Sequence, residues 1–300
     1  MTAARRLAGR SRARLRTLRE EAMVRVGGSL GRLGRRVVLR VHAGEDVPVP
    51  PPLVSGGRSF DVRDDLAAYT GLPLDEVDEL LRRRTDSFRA EWYLTPPGIR
   101  RDAWFYRSSL TYLFGNAVHV HEQPELLATI LRHTGSSGRA LDFGGGTGNL
   151  ALGLAAGGLD VDYLERSALQ KDFVAFRVHR HGLGDQVRVL DDWELLPREA
   201  YDAVCALDVL EHLEHLDESL RGNLLPSIRP GGLLIESSPF VRNVSNPMHH
   251  EHGQLDELLA DAGFVLEADD PMCRVWRRLP PDHADQVAAA GAADTGVTGG

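Results

Sequence analysis

Apolar positions in the second half of this chain come in short blocks, each closed by glycine or by an acid. Ala140, Leu141 and Phe143 form one block, interrupted by Asp142. It breaks into Gly144-Gly145-Gly146-Thr147-Gly148 and resumes as a helix-like run from Asn149 to Ala156, closed by Gly157-Gly158. The pattern predicts a strand, a tight glycine turn and a helix start, the opening unit of an α/β nucleotide-type fold. Glycine suits such a turn because it accepts φ > 0 and lets a ligand approach bare backbone. A second strand is expected over 159–164, ending at Glu165. A long helix follows over 167–181, then a strand over 186–190 that ends at Asp191-Asp192-Trp193. Tyr201 to Leu207 reads as a buried strand that runs through Asp208-Val209-Leu210-Glu211-His212 into a helix. Pro230-Gly231-Gly232 reads as a turn into a fifth strand. Gln254 to Ala262 reads as a helix with Gly263 as its C-cap, and a sixth strand starts at Phe264.

The first half has a different rhythm. Residues 5–26 read as a basic amphipathic helix, with Leu7, Leu15, Leu18, Ala22 and Val26 near one face. Val47 to Pro52 (VPVPPP) is a stiff spacer. From residue 59 to 136 the pattern is helical, with a pair over 64–70 and 74–84 and Pro73 at a helix start. Seven of the nineteen aromatic residues fall between Trp92 and Phe114. They would pack this segment on the sheet, line a lid over a substrate, or both. Four segments are therefore expected: 1–58, a basic, partly disordered start with a Pro-rich linker; 59–136, a helical cap; 137–279, the α/β domain; 280–300, a disordered tail poor in bulky side chains.

Composition adds limits. The 300 residues are 42% hydrophobic and 26% charged, ordinary for a globular protein with a sizeable core. No apolar run reaches about 18 residues, and no signal-peptide core follows the first arginines. Two cysteines, Cys205 and Cys273, make no disulfide framework, which fits a cytoplasmic protein. The net charge is −8, but residues 1–42 carry +10 and the remainder −18. The α/β core therefore lacks the positive face that nucleic acid needs. The basic start is a candidate contact for an anionic membrane or a protein partner.

The glycine spacing narrows the ligand. A dinucleotide fingerprint needs a third glycine at position 149, which is Asn149; the chain has G-x-G-x-G at Gly144, Gly146 and Gly148. With Asp142 before it and the ordered blocks after it, this run resembles the class I S-adenosylmethionine (SAM) methyltransferases over about 138–279. The resemblance implies a Rossmann-like seven-stranded α/β sheet with a helical N-terminal cap. It implies SAM as cofactor, held by Asp142 and the glycine turn, with Glu165 on the ribose hydroxyls. Asp191 or Asp192 would take the adenine amino group and Trp193 pack on the ring, with Asp208 also at the cofactor.

Asp208, Glu211 and His212, with His249, His250 and His252 about 40 residues on, form a carboxylate–imidazole set over one sheet edge. It is similar to the acid-x-x-Glu-His motif of metal-using methyltransferases. The small-RNA 3′-end enzymes carry it, here with Asp208 in place of their Glu, and so do the ubiquinone-pathway O-methyltransferases. Three readings stay open for the set. One is a divalent metal held by Asp208, Glu211, His212 and His252; another is a base or orienting group among His212, His249, His250 and His252; the third is a purely structural role. His119 and His121 read as ordinary surface or core histidines. The implied activity is methylation of a small-molecule or glycan-type acceptor, at oxygen. The alternatives are cyclisation on SAM's own side chain, RNA 3′-end methylation and a non-catalytic SAM-fold scaffold.

Overall fold

The computed structural model describes residues 48–84, 91–92, 106, 109–121, 123–242 and 248–280. The basic helix expected over 5–26, the tail beyond 280, and Tyr93, Trp104 and Phe105 of the aromatic cluster lie outside them.

A short hairpin opens the described chain: β1 (Leu53–Ser55) pairs antiparallel with β2 (Arg58–Phe60). Helices α1 (Val62–Thr70), α2 (Leu74–Arg82), α3 (Leu110–Asn116) and α4 (Pro124–Thr134) follow. Asp61 caps α1 by accepting from the Arg63 amide, and Gly71 ends it in the left-handed conformation at φ 70°. Pro73 is the N-cap of α2, where its missing N–H costs nothing.

The α/β half then alternates: β3 (Arg139–Phe143), α5 (Asn149–Ala156), β4 (Asp160–Leu164), α6 (Ala168–Arg180), β5 (Val187–Leu190), β6 (Tyr201–Leu207), α7 (Leu216–Ser219), β7 (Ile228–Ser237), α8 (Leu255–Asp261), β8 (Phe264–Asp270) and β9 (Cys273–Arg278). One seven-stranded sheet results, in the order β5-β4-β3-β6-β7-β9-β8. The strands from β5 to β7 run parallel; β9 is antiparallel to both β7 and β8. Strands buried on two faces need apolar side chains on both. Ala140, Val161, Ala203, Cys205, Leu233 and Val275 pack toward one helical layer. Leu141, Phe143, Val204, Ala206, Leu234 and Trp276 pack toward the other. A third cluster joins Val62 and Leu66 of α1, Val77 and Leu81 of α2 and Leu113 of α3 to Phe173 of α6. This is the Rossmann-like seven-stranded sheet with a helical cap.

Three details depart from expectation. The segment boundary expected at 58/59 falls inside β2. Leu53 and Phe60 on the hairpin are 3% and 0% exposed and belong to the main core. The expected turn at Pro230-Gly231-Gly232 lies within β7, where a register shift opposite Tyr201 and Ala203 absorbs it. Gly231, at φ 77°, gives the strand its irregular bend. After β6 no regular helix starts: a 3-10 turn covers Leu210–His212 and precedes α7.

Chain order along the sheet reverses between β3 and β6. At such a switch point the strand ends diverge and leave a crevice at their carboxyl edge. The loop after β3 carries the glycine turn, and the loop after β6 carries Asp208 to His212.

Candidate active site

A cavity of about 900 Å³ fills that crevice. One end is built from the glycine turn. Gly144, Gly146 and Gly148 have φ of 69°, 53° and 75°, values that strain any side chain. A Cβ on Gly144 would come 2.3 Å from Val209 Cγ2, so the β3 and β6 loops touch only because glycine is there. Gly144 and Gly146 line the cavity. Gly148, expected at the cofactor, is instead the N-cap of α5, and a Cβ on it would sit 2.8 Å from Val174 Cγ2.

Gly148 has no side chain to cap α5. Asp142 supplies the missing acceptor from the neighbouring strand: its Oδ2 accepts from the Ala151 amide at 3.0 Å. Burial, with a smaller push from Glu165, raises the Asp142 carboxyl from 3.8 to about 7. Glu165 spans the turn and the next helix. Its Oε2 accepts from the Gly146 amide at 3.0 Å and its Oε1 from the Ser167 amide at 2.8 Å. Burial raises its pKa, and those amides hold it back. A buried carboxylate with lone pairs left over, facing a cavity, fits a ribose diol.

Beyond Glu165 the wall passes Asp191, Asp192 and Trp193. The two acids now differ. Asp192 caps the following 3-10 turn by accepting from the Glu194 amide at 3.0 Å. The Asp191 carboxylate makes no hydrogen bond to any described residue, so it is the freer acceptor for an adenine amino group. Trp193 lies tilted on Phe143, ring centres 6.3 Å apart, and together they offer a flat apolar wall.

Asp208 closes β6 with φ 50°, a left-handed value that is uncommon for a residue with a Cβ. Its amide donates to Ser237 O at 2.7 Å and its Oδ1 accepts from Ser237 Oγ at 2.9 Å. Its Oδ2 meets His119 Nε2 at 2.5 Å. Burial works against both charges, but the contact overrides it: Asp208 is held below and His119 above the ordinary value. His119, read from the sequence as an ordinary surface or core histidine, instead lines the cavity as a partner of Asp208. His121 stays structural, between Pro51 O and Asn149 Oδ1.

At the far end three side chains converge. Atoms of Glu211, His212 and His249 lie within 4.8 Å of one another. Glu211 is fully buried, and neither carboxylate oxygen has a hydrogen-bond partner among the described residues. Burial, then the charges of Asp208 and Glu236, push its pKa from 4.5 to about 8. Burial and His249 depress His212 from 6.5 to about 4, so its imidazole is neutral. Tyr106 Oη lies 3.1 Å from His212 Nδ1. His249 donates from Nδ1 to Pro239 O at 3.0 Å, which leaves Nε2 with its lone pair, 4.0 Å from Glu211 Oε1. Of the four residues expected at a metal, Glu211 and His212 lie in this cluster and Asp208 and His252 do not. His252 spends Nε2 on Leu213 O at 2.8 Å and packs on Phe240, outside the cluster. His250 stacks on His252, and its amide donates to Glu211 O. Asp208 is taken by His119 and Ser237. His249 stands where His252 was expected.

Residues 119–269, half of the chain, match the methyltransferase-domain family. The ubiquinone biosynthesis O-methyltransferase of Rickettsia canadensis (strain McKiel) is 33% identical over 100 residues, 33% of this chain and 41% of that protein. The chain thus spans about two fifths of the length of that curated relative. Among solved structures, the [4+2]-cyclase SpnF is 25% identical, with 49% of this chain and 59% of that one covered and a TM-score of 0.44. A SAM-dependent methyltransferase of Aquifex aeolicus is 18% identical, with 50% and 88% covered and a TM-score of 0.42. No described helix is long and apolar enough to cross a membrane. The match over half the chain, the glycine turn and the sheet order agree: the chain belongs to the methyltransferase-domain family of class I SAM-dependent methyltransferases.

Proposed function

We propose that this chain catalyses SAM-dependent methylation of a hydroxyl on a small-molecule or glycan-type acceptor, with Glu211, His212 and His249 as the reaction centre. The observation that carries this reading is the Glu211 carboxylate. It is buried with no hydrogen-bond partner among the described residues, beside two imidazoles, in the same cavity as the glycine turn and Glu165. Bound SAM supplies an electrophilic methyl on a sulfonium. The chain's own share is alignment and proton handling. Glu165, Asp191 and Trp193 hold the nucleoside; the bare backbone of Gly144 to Gly146 lets the methionine part lie close. A neutral imidazole accepts the acceptor's proton, and His249 Nε2, with its tautomer fixed by Pro239, suits that task. Glu211, which burial holds protonated near neutral pH, balances the resulting imidazolium only as pH approaches 8.

The same three side chains fit a divalent ion. One carboxylate and two imidazoles are a borderline-hard donor set, and a buried carboxylate with no hydrogen-bond partner among the described residues is what an ion would satisfy. Glu211, His212 and His249 would hold it, and it would supply Lewis acidity to the acceptor hydroxyl. The test is methyl transfer from labelled SAM to a panel of hydroxylated acceptors, with and without EDTA. Product formation that EDTA abolishes and one divalent ion restores supports the metal form. Product formation indifferent to EDTA supports the imidazole base alone. A chain that binds SAM but methylates no hydroxyl overturns both forms, and release of 5′-methylthioadenosine would indicate cyclisation instead.

A further inference from the structure

Behind the glycine turn, on the side away from the cavity, lies a buried charge that methyl transfer does not use. Arg177 of α6 is 0% exposed. Its Nε donates to Asp65 Oδ2 of α1 at 2.8 Å, and its Nη1 donates to Thr147 O at 2.7 Å and Asn149 Oδ1 at 2.6 Å. Asp65 is 1% exposed and also meets His181 Nε2 at 3.0 Å and Arg180 Nε at 3.1 Å. The turn is gripped from the cap at other points too. Thr147 Oγ1 donates to Asn116 O at 3.2 Å, and Asn149 Nδ2 donates to Ala117 O at 2.7 Å.

Such a pair is a poor device for stability alone. Desolvating two charges costs about as much as their attraction returns, and Arg177 Nη2 finds no acceptor among the described residues. What the arrangement does supply is position. A planar guanidinium with one edge on a fixed carboxylate has its remaining donors held in fixed directions. Its Nη1 reaches the carbonyl of Thr147, inside the turn, and Asn149 Oδ1, just after it.

We infer that Asp65 and Arg177 are positioning residues for the cofactor: the pair carries the placement of cap helix α1 into the Gly144–Gly148 turn, so that cap docking and SAM binding are coupled. The inference rests on the reading that this turn holds SAM. The coupling is reciprocal, as any linkage between two sites must be. SAM should therefore steady α1, none of whose residues lines the cavity.

Two measurements test it. Hydrogen–deuterium exchange on the full wild-type chain, with and without SAM, should show slower exchange in peptides covering 62–70 as well as in those covering 144–149. Protection at 144–149 with none at 62–70 overturns the inference; no SAM binding at all is a failure of the cofactor reading instead. In Asp65→Asn, with circular dichroism unchanged, the SAM dissociation constant should rise about 10- to 100-fold. Turnover at saturating SAM should fall far less. A folded Asp65→Asn chain with wild-type SAM affinity, or one that loses turnover and keeps affinity, overturns it. If that variant does not fold, Arg177→Lys is the alternative. It keeps the charge and loses the fork, and unchanged SAM affinity in it would count equally against the coupling.

Discussion

His249 Nε2 stands 4.0 Å from Glu211 Oε1, and the Pro239 carbonyl on the other side of the ring decides which nitrogen carries the proton. Two elements meet in that contact: the turn after β6, which carries Glu211, and the segment after β7, which carries both Pro239 and His249. A base must offer a lone pair, and the Pro239 contact leaves that lone pair on Nε2, the nitrogen beside the buried acid.

His249→Ala should lower turnover by about 100- to 10,000-fold, the usual range for a lost general base. SAM affinity should stay near wild type, because His249 lies at the acceptor end. His252→Ala should leave turnover within a few-fold, since its Nε2 is spent on Leu213 O. Steady-state kinetics on the two variants decide the matter. Equal losses in both would mean that the histidine segment acts only as structure.

Glu165→Ala should weaken SAM binding by about 1.5–3 kcal/mol, since it removes the acceptor for a ligand diol and orphans the Gly146 and Ser167 amides. Calorimetry reads this directly, as roughly a 10- to 150-fold rise in Kd. An unchanged Kd would move the ribose elsewhere.

Asp142 makes stability depend on pH. Its pKa in the folded chain is about 7 against an ordinary 3.8, so folding favours the protonated acid. The penalty is absent below pH 3.8, grows as pH rises to about 7 and is complete above that. Asp142→Asn keeps an oxygen for the Ala151 amide and removes the titration. Its unfolding free energy should therefore gain on wild type by about 2–4 kcal/mol between pH 4 and pH 8. Urea midpoints at both values measure it, and a pH-independent difference would mean that the helix N-terminus already offsets the burial.

The opening hairpin is part of the domain rather than a leader to it. Leu53 sits in the main core, and Ser55 Oγ donates to Gly153 O of α5 at 2.6 Å. Leu53→Ala should cost about 2–5 kcal/mol. A chain started at residue 61 should lose SAM binding together with its cooperative melt. Calorimetric scans of the two would show otherwise if the hairpin were dispensable.

Much of this architecture was legible in the sequence because it is local. An apolar run, five residues dominated by glycine and a second apolar run can hardly be other than strand, turn and helix. Glu165 was legible for the same reason, as the acid that ends the next strand. The histidines were legible as a set but not individually. Which of three near neighbours turns inward depends on carbonyls at Pro239 and Leu213 that no pattern reveals. The pairing of His119 with Asp208 spans 89 residues and that of Arg177 with Asp65 spans 112, and none of the four residues carries a local mark of its partner. Pro230-Gly231-Gly232 misled because these residues usually end a strand; here the neighbouring strand shifts register to keep them.

The left-handed backbone at Asp208 makes two demands on one position. The backbone prefers a residue without a Cβ, or asparagine; His119 and Ser237 prefer a carboxylate. The ordinary ranking of substitutions is inverted there. Glycine, damaging in most strands, is the replacement the main chain accepts most readily, while the larger acid glutamate fits the charge and strains the chain. In a saturation library, survival for folding and survival for methyl transfer would therefore sort differently at this single codon. The residue satisfying both screens would be the one the chain already has.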